Sequence, residues 1–177
     1  MKTVNKRLIG LIILSVFQLI FPLLFIAAKE KVIAEGKEYL FRIQPVDPYD
    51  FFQGKYVELN VQRLSFDSKN LSDYKKNEIV YVEFSQDSLG AKISRVSKEK
   101  TVNSLKLKMS SDPSTHTTIH FKLPFKRFYL EEYKAKNVEL KLARSNSKRN
   151  FVHVKILNGE FVITDITSDG KSLVIEK

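Results

Sequence analysis

The sequence predicts a mainly β domain, an antiparallel sandwich or barrel-like body with one short helix, preceded by one N-terminal transmembrane helix. Three observations carry this expectation. Leu8 to Ala28 form an uncharged, predominantly apolar run. From Glu38 onward the apolar residues recur mostly at every second position, the spacing of a strand with one face on a core. Asn158-Gly159 and Asp169-Gly170 each stand between apolar runs, where two successive residues at positive φ close a tight hairpin.

The apolar run is about 21 residues long, which at about 1.5 Å per residue reaches roughly 30 Å, one hydrocarbon thickness. Its apolar side chains cover every helical face, unlike the single stripe of a soluble amphipathic helix. Pro22 falls inside it, which a membrane tolerates. A cleaved signal peptide would have a shorter apolar region, roughly 7–15 residues, ending in small residues such as Ala27 and Ala28. The length favours an uncleaved anchor. Lys2, Lys6 and Arg7 precede the run, but Lys29, Lys31, Lys37 and Arg42 follow it, so counting positive charges comes close to a tie. A short basic tail before a first apolar run ordinarily stays in the cytoplasm. The expected organisation is therefore a basic cytoplasmic tail (1–7), a transmembrane anchor (8–28), a linker (29–37) and an extracytoplasmic β domain (38–177).

Composition narrows the function. The chain has 177 residues, 43% hydrophobic and 28% charged, as expected of a folded domain, and a formal net charge of +10. The lysines are scattered among acids. The nearest approach to a basic patch, Lys141, Arg144, Lys148 and Arg149, reads as a solvated loop, so no nucleic-acid partner is expected. Cysteine is absent, which removes disulfides, thiolate metal sites and cysteine nucleophiles together. His116 and His120 lie four apart on an alternating segment, about 13 Å along a strand, too far to share an ion. His153 stands alone on the exposed face of a later strand. No G-x-S-x-G, P-loop or dinucleotide fingerprint occurs, and no cofactor is expected. Membrane-tethered Ser-Lys proteases share the anchor-then-β layout, but their Ser-Met-x-Pro nucleophile is missing, and the first serine after the anchor is Ser65.

In chain order, strands are expected around Tyr39–Ile43, Val57–Val61, Ile79–Phe84, Leu105–Met109 and Ile119–Phe125, with the third covered on both faces and Pro124 spoiling the end of the fifth. Ser65 to Asn77 and Ser110 to Thr115 read as polar connections. Leu130 to Ser147 mixes two patterns: Val138, Leu140 and Leu142 suit a strand, Ala135, Val138 and Leu142 a helix. Its Glu, Lys, Ala and Leu content favours the helix. Three C-terminal strands, around Val152–Ile156, Phe161–Ile163 and Leu173–Ile175, close the domain as a meander.

The densest stretch is Pro45 to Asn60, PVDPYDFFQGKYVELN. Pro45 and Pro48 fix φ and push the residues before them out of the helical region. Asp47 and Asp50 are placed to cap backbone amides of the turn, and Gly54 permits a sharp entry into the next strand. Arg42, on the preceding strand, is placed to pair with one of the aspartates. Tyr49, Phe51, Phe52 and Tyr56 are candidates for a contact surface, with Phe51 and Phe52 better suited to covering the base of the core.

Arg42 through Val61, RIQPVDPYDFFQGKYVELNV, resembles the signature of the GDYXXLXY proteins. Pro45, Asp47 and Pro48 match that family's P-x-DP turn; Gly54, Tyr56 and Leu59 match its named motif. Lys55 replaces the motif aspartate, Val61 its last tyrosine, and Gln53 the usual arginine before the glycine. Arg127-Phe128-Tyr129-Leu130-Glu131-Glu132 resembles the family's aromatic-rich segment ending in glutamate, and the Gly159 hairpin also fits. The resemblance implies a membrane-anchored bacterial protein with an extracytoplasmic β domain that accompanies a polytopic membrane protein. It implies no catalytic residue.

The expected function is thus an anchored binding or accessory domain. The interaction residues would come from Arg42, Pro45, Asp47, Pro48, Tyr49, Asp50, Gly54, Lys55, Tyr56, Leu59, Tyr129 and Glu132. Two alternatives stand beside it: a cell-surface enzyme using Asp47, Asp50 and Glu132 as carboxylates, and a module that binds anionic lipid surfaces through its lysines.

Overall fold

The computed structural model describes residues 6–44, 56–67, 73–110, 117–145 and 149–174. A long helix leads into a body of small antiparallel sheets that share one core. The helix, α1, spans Lys6–Glu35 with Pro22 inside it. Its apolar stretch is exposed along its length among the described residues and is long and apolar enough to cross a membrane. The residues expected to link anchor and domain, 29–37, are helical as far as Glu35.

The strands follow in chain order: β1 Lys37–Gln44, β2 Tyr56–Glu58, β3 Asn60–Val61, β4 Leu64–Asp67, β5 Ile79–Asp87, β6 Gly90–Ser97, β7 Ser104–Lys108, β8 Thr118–Phe121 and β9 Arg127–Tyr129. Helix α2 (Glu132–Arg144) comes next, then β10 Asn150–Leu157, β11 Glu160–Ser168 and β12 Lys171–Ser172. The largest sheet has the order β12-β11-β10-β1-β3, a second has β6-β5-β7, and β2-β9 and β4-β8 are two-stranded ribbons. All of these strand pairs are antiparallel.

Alternation decides which side chains meet. Tyr39, Phe41 and Ile43 of β1 and Val152, Val154 and Ile156 of β10 face inward, and meet Val80, Val82 and Phe84 of β5 and Leu105 and Leu107 of β7 in one cluster. Phe41 is its aromatic hub, with ring centroids 5.1 Å from Phe84 and 4.7 Å from Phe125; Phe125 continues to Phe161 at 5.4 Å. The opposite face of β5 is half-covered at Tyr81 and Glu83 and open at Ile79. Burial, then the nearby Glu83 carboxylate, push the Tyr39 phenol above its ordinary value.

Several expectations need correction. The Val57–Val61 strand is two: β2 pairs with β9, β3 pairs with β1, and the chain changes partner at Leu59. The segment from Ser65 is not all connection, because β4 pairs Leu64 to Asp67 with β8; backbone pairing tolerates its polar outer residues while Leu64 and Phe66 pack on the core. The Ile119 strand ends at Phe121, yet Leu123 and Phe125 remain buried beyond it, on either side of Pro124. Leu130 to Ser147 contains α2, whose Ala135, Val138 and Leu142 are buried at helical spacing. Lys141 lies in its last turn and Arg144 is its last residue, so this part of the basic run is helix and not loop.

Both hairpin turns are as the sequence requires: φ is 51° and 84° at Asn158-Gly159, and 51° and 78° at Asp169-Gly170. The closing meander is present as β10-β11-β12, but its last strand is Lys171–Ser172, directly after the Asp169-Gly170 turn, and not the expected Leu173–Ile175: Leu173 and Val174 follow the strand as a bend, packed on the core, and Ile175 lies outside the described residues.

Truncating the hub tests this packing. Phe41→Ala removes a ring buried among Phe84 and Phe125, and should lower stability by about 3–5 kcal/mol. A denaturant titration of the detergent-solubilised full chain, followed by tyrosine fluorescence, reads the shift.

Candidate functional site

The motif strand is brought together with the second aromatic segment. Register pairs Tyr56 with Tyr129, Val57 with Phe128 and Glu58 with Arg127. Because side chains alternate, Tyr56, Glu58, Arg127 and Tyr129 share the outer face of this ribbon while Val57 is fully buried. The Tyr56 and Tyr129 rings meet edge to face at 5.7 Å, and the Arg127 guanidinium lies 4.5 Å from the Tyr56 ring centre. Leu59 turns inward into the core, and its N–H donates to the Lys126 carbonyl at 2.7 Å, which holds the point where the chain leaves the ribbon.

The ribbon continues into α2. Tyr129 is 68% exposed and Tyr133 78%, unusually open for tyrosines. Tyr129, Leu130, Glu131, Lys134 and Val174 line a shallow depression of about 440 Å³. Glu131 and Lys134 pair at 3.3 Å across the first turn. Behind the tyrosines α2 packs on β2, and Glu139 meets Glu58 there. Burial raises the Glu139 carboxyl above its ordinary value; the Glu58 N–H that donates to it acts the other way, and the Glu58 charge adds to the rise.

Other predicted residues fall elsewhere. Arg42 is half-buried on β1, its carbonyl accepting from the Gln62 N–H at 2.9 Å, and it lines a separate groove of about 330 Å³ with Arg63, Leu89 and Lys92. Pro45, Asp47, Pro48, Tyr49, Asp50, Gly54 and Lys55 lie outside the described residues, as do Phe51, Phe52 and the side chain of Glu132. The convergence of Asp47, Asp50 and Glu132 that the enzyme reading requires therefore lies outside them too.

A larger open groove, about 610 Å³, runs beside the motif strand, lined among others by Glu58, Arg63, His120, Lys122 and Lys126. His120 is exposed on β8, and His116 lies outside the described residues. Among the described residues, no group of three or more His, Asp or Glu is placed to hold a metal ion.

His153 differs from its expected place. It is half-buried, because β1 and β11 flank it on both sides. Its Nδ1 is 3.3 Å from Glu38 Oε1 and its Nε2 3.1 Å from Thr167 Oγ1, a carboxylate–imidazole–hydroxyl string across three strands. Thr167 is only 9% exposed and lines none of the three grooves, so the string acts as a tie between strands. Sequence reasoning missed it, and also Tyr133 and Glu139. The spacing of β1, β10 and β11 across the chain leaves no local signal for the first, and α2's helical face would have been needed to find the others.

Glu139 gives a pH signature. A carboxyl whose folded value is raised contributes stability below its unfolded value and loses it as pH rises through the folded value. Glu139→Gln should therefore raise the denaturation midpoint relative to wild type at pH 7, with the advantage fading as pH falls towards the ordinary glutamate range. Parallel denaturation curves of the two proteins at pH 7 and pH 4 measure the difference, and comparison of the pair cancels the other carboxylates.

The geometry can be set beside known proteins. No match is found among curated proteins or among solved structures. A family model described as GDYXXLXY protein matches residues 18–166. That span runs from the second half of α1 through the motif ribbon and α2 to Ile166 of β11, most of the chain, and on it the chain belongs to the GDYXXLXY protein family.

Proposed function

We propose that this chain is a membrane-anchored accessory subunit of the bacterial cell membrane. Its β domain stands on the extracytoplasmic side and offers an aromatic surface to a polytopic membrane protein. The observation that carries the reading is the open tyrosine pair, Tyr129 and Tyr133, backed by Tyr56 and Arg127 and fixed to a rigid ribbon and helix. Exposed tyrosines beside an arginine are the composition of interaction hot spots: they bury large area at small entropic cost.

The anchor supports the same reading. α1 crosses Ala28 without a break, and its last turns pack on the domain, with Val32 buried to 3% exposure. An uncleaved helix of this kind makes the anchor part of the folded protein. The basic residues Lys2, Lys6 and Arg7 favour a cytoplasmic N-terminus. The family resemblance supplies the expectation of a polytopic partner.

Crosslinking and affinity capture from native membranes in mild detergent test the proposal. Wild type should recover one stoichiometric membrane protein. Tyr129→Ala/Tyr133→Ala should cut that recovery about tenfold or more, the loss of a hot spot of about 2 kcal/mol, while lowering stability by only about 1 kcal/mol through the lost Tyr56 ring contact. Recovery of no partner, or equal recovery with both tyrosines removed, contradicts it. Because the chain has no cysteine, a single cysteine placed at Tyr133 also reports sidedness: it should react with an impermeant maleimide in intact spheroplasts.

A further inference from the structure

The joint between α1 and the sheet fixes how the domain sits on the bilayer. Lys29, the first charge after the apolar run, pairs with Glu160 at 2.8 Å, and its Nζ lies 5.7 Å from the Phe25 ring and 6.0 Å from the Phe161 ring. The start of β11 therefore stands level with the last turn of the membrane-spanning stretch. Higher up, Lys155 Nζ donates to the Ile33 carbonyl, near the helix C-terminus, and Val32 is buried. The Gly36 N–H donates to the Val32 carbonyl at 2.9 Å, and a Cβ at Gly36 would stand 2.3 Å from that oxygen. Two independent lengths agree. Helix residues 29 to 36 cover about 10 Å, and strand residues 156 to 159 cover about 10 Å back in the same direction.

The β10–β11 turn thus reaches down to the membrane boundary, and it does not arrive alone. The Asn158 N–H donates to the Val102 carbonyl at 2.7 Å, and the Gly159 N–H to the Ser104 carbonyl at 2.8 Å. Gly159 also touches Lys106 and Lys100, whose atoms lie 3.6 and 3.9 Å from its Cβ position. These contacts place the loop before β7 at the same level. That loop presents Val102, 60% exposed, with Lys100 and Lys106 exposed beside it. Nearby acids are engaged: Glu160 by Lys29, and Glu83 by the Thr101 hydroxyl at 2.8 Å. Glu99 is exposed in the same loop and offsets part of the charge.

We propose that the β10–β11 turn and the loop around Val102 form a membrane-resting face. Lys100 and Lys106 contact the phosphates of anionic lipid headgroups, and Val102 enters the interfacial layer. An apolar residue flanked by long cationic side chains suits this boundary: the methyls leave water while the ammonium groups stay at the phosphates. The occupant is lipid rather than a protein partner because the anchor itself carries this face to the headgroup plane. The proposal rests on α1 lying in the membrane, as proposed above.

Single-cysteine variants of the full chain in nanodiscs test it, each carrying a fluorophore and mixed with lipids bearing a headgroup nitroxide or an acyl-chain nitroxide. Ile20→Cys reports the anchor. Val102→Cys reports the face, and Leu89→Cys is the control, since the turn at Gly90 abuts Leu40 and Phe151, roughly 15 Å further from the joint along the strands. With phosphatidylglycerol as about a third of the lipid, the label at 102 should be quenched by the headgroup nitroxide, and the label at 89 should not. Lys100→Gln/Lys106→Gln, or discs of phosphatidylcholine alone, should weaken the quenching at 102 about twofold or more. Equal labels at 102 and 89 overturn the proposal while acyl-chain quenching at 20 leaves the anchor standing. Quenching at 102 that ignores both lipid charge and the two lysines overturns the anionic contact. An unquenched label at 20 removes the anchor and the resting face together.

Discussion

The pairing of β1 with β10 is the constraint on which the rest depends. Its partners lie more than a hundred residues apart, Glu38 meeting His153 across 115 positions, so the whole domain must be threaded before it can form. Once formed, it does three things. It places Tyr39 opposite Val154 and Phe41 opposite Val152, which closes the core. It brings the end of β10 back to Gly36, which seats the helix on the sheet. And it leaves β1 interior, between β10 and β3, so the strand that begins at the anchor ends at the motif stretch. The His153 string adds polar cross-links to the same seam, and contact order of this kind predicts slow folding.

Much of this was legible because the physics was local. A hydrocarbon-length apolar run, Asn-Gly and Asp-Gly turns, and alternation at Tyr39, Leu105 and Val152 each determine their own geometry. What was not legible depended on irregular register. In β6 the pairing passes from Arg95 opposite Glu83 to Ile93 opposite Phe84, so Ser94 is an extra residue and the alternation breaks. β11 does the same at Thr164, whose neighbours Asp165 and Ile163 pair with His153 and Val154. β9 is three residues long, below any pattern. The site was half legible: Tyr56 and Tyr129 were identified separately, but that they touch is a fact of strand register.

The motif itself has a physical logic. In β2 Val57 faces in and Tyr56 out; two residues later Leu59 faces in and marks the change of partner from β9 to β1. The tyrosine is spent on the surface and the leucine on the corner.

On the proposed reading, height above the membrane limits what can meet the tyrosine surface. Val174, beside Tyr129, follows the Leu173 N–H that donates to the Ile166 carbonyl, six strand residues up β11 from Glu160. That is roughly 20 Å above the β10–β11 turn, which the proposal sets at the membrane boundary. A partner buried wholly in the bilayer cannot reach it. One with an extramembrane loop or domain can, and the rigid joint at Gly36 then matters as much as the tyrosines, because it sets the height at which they are offered. Loosening that joint should weaken partner recovery with the tyrosine surface untouched. Gly36→Ala, which forces a Cβ against the Val32 carbonyl, should lower capture of the membrane partner while preserving the Tyr56–Tyr129 contact, readable as unchanged ring shifts in the detergent-solubilised protein. Unchanged capture would mean that the tyrosines act without regard to their height.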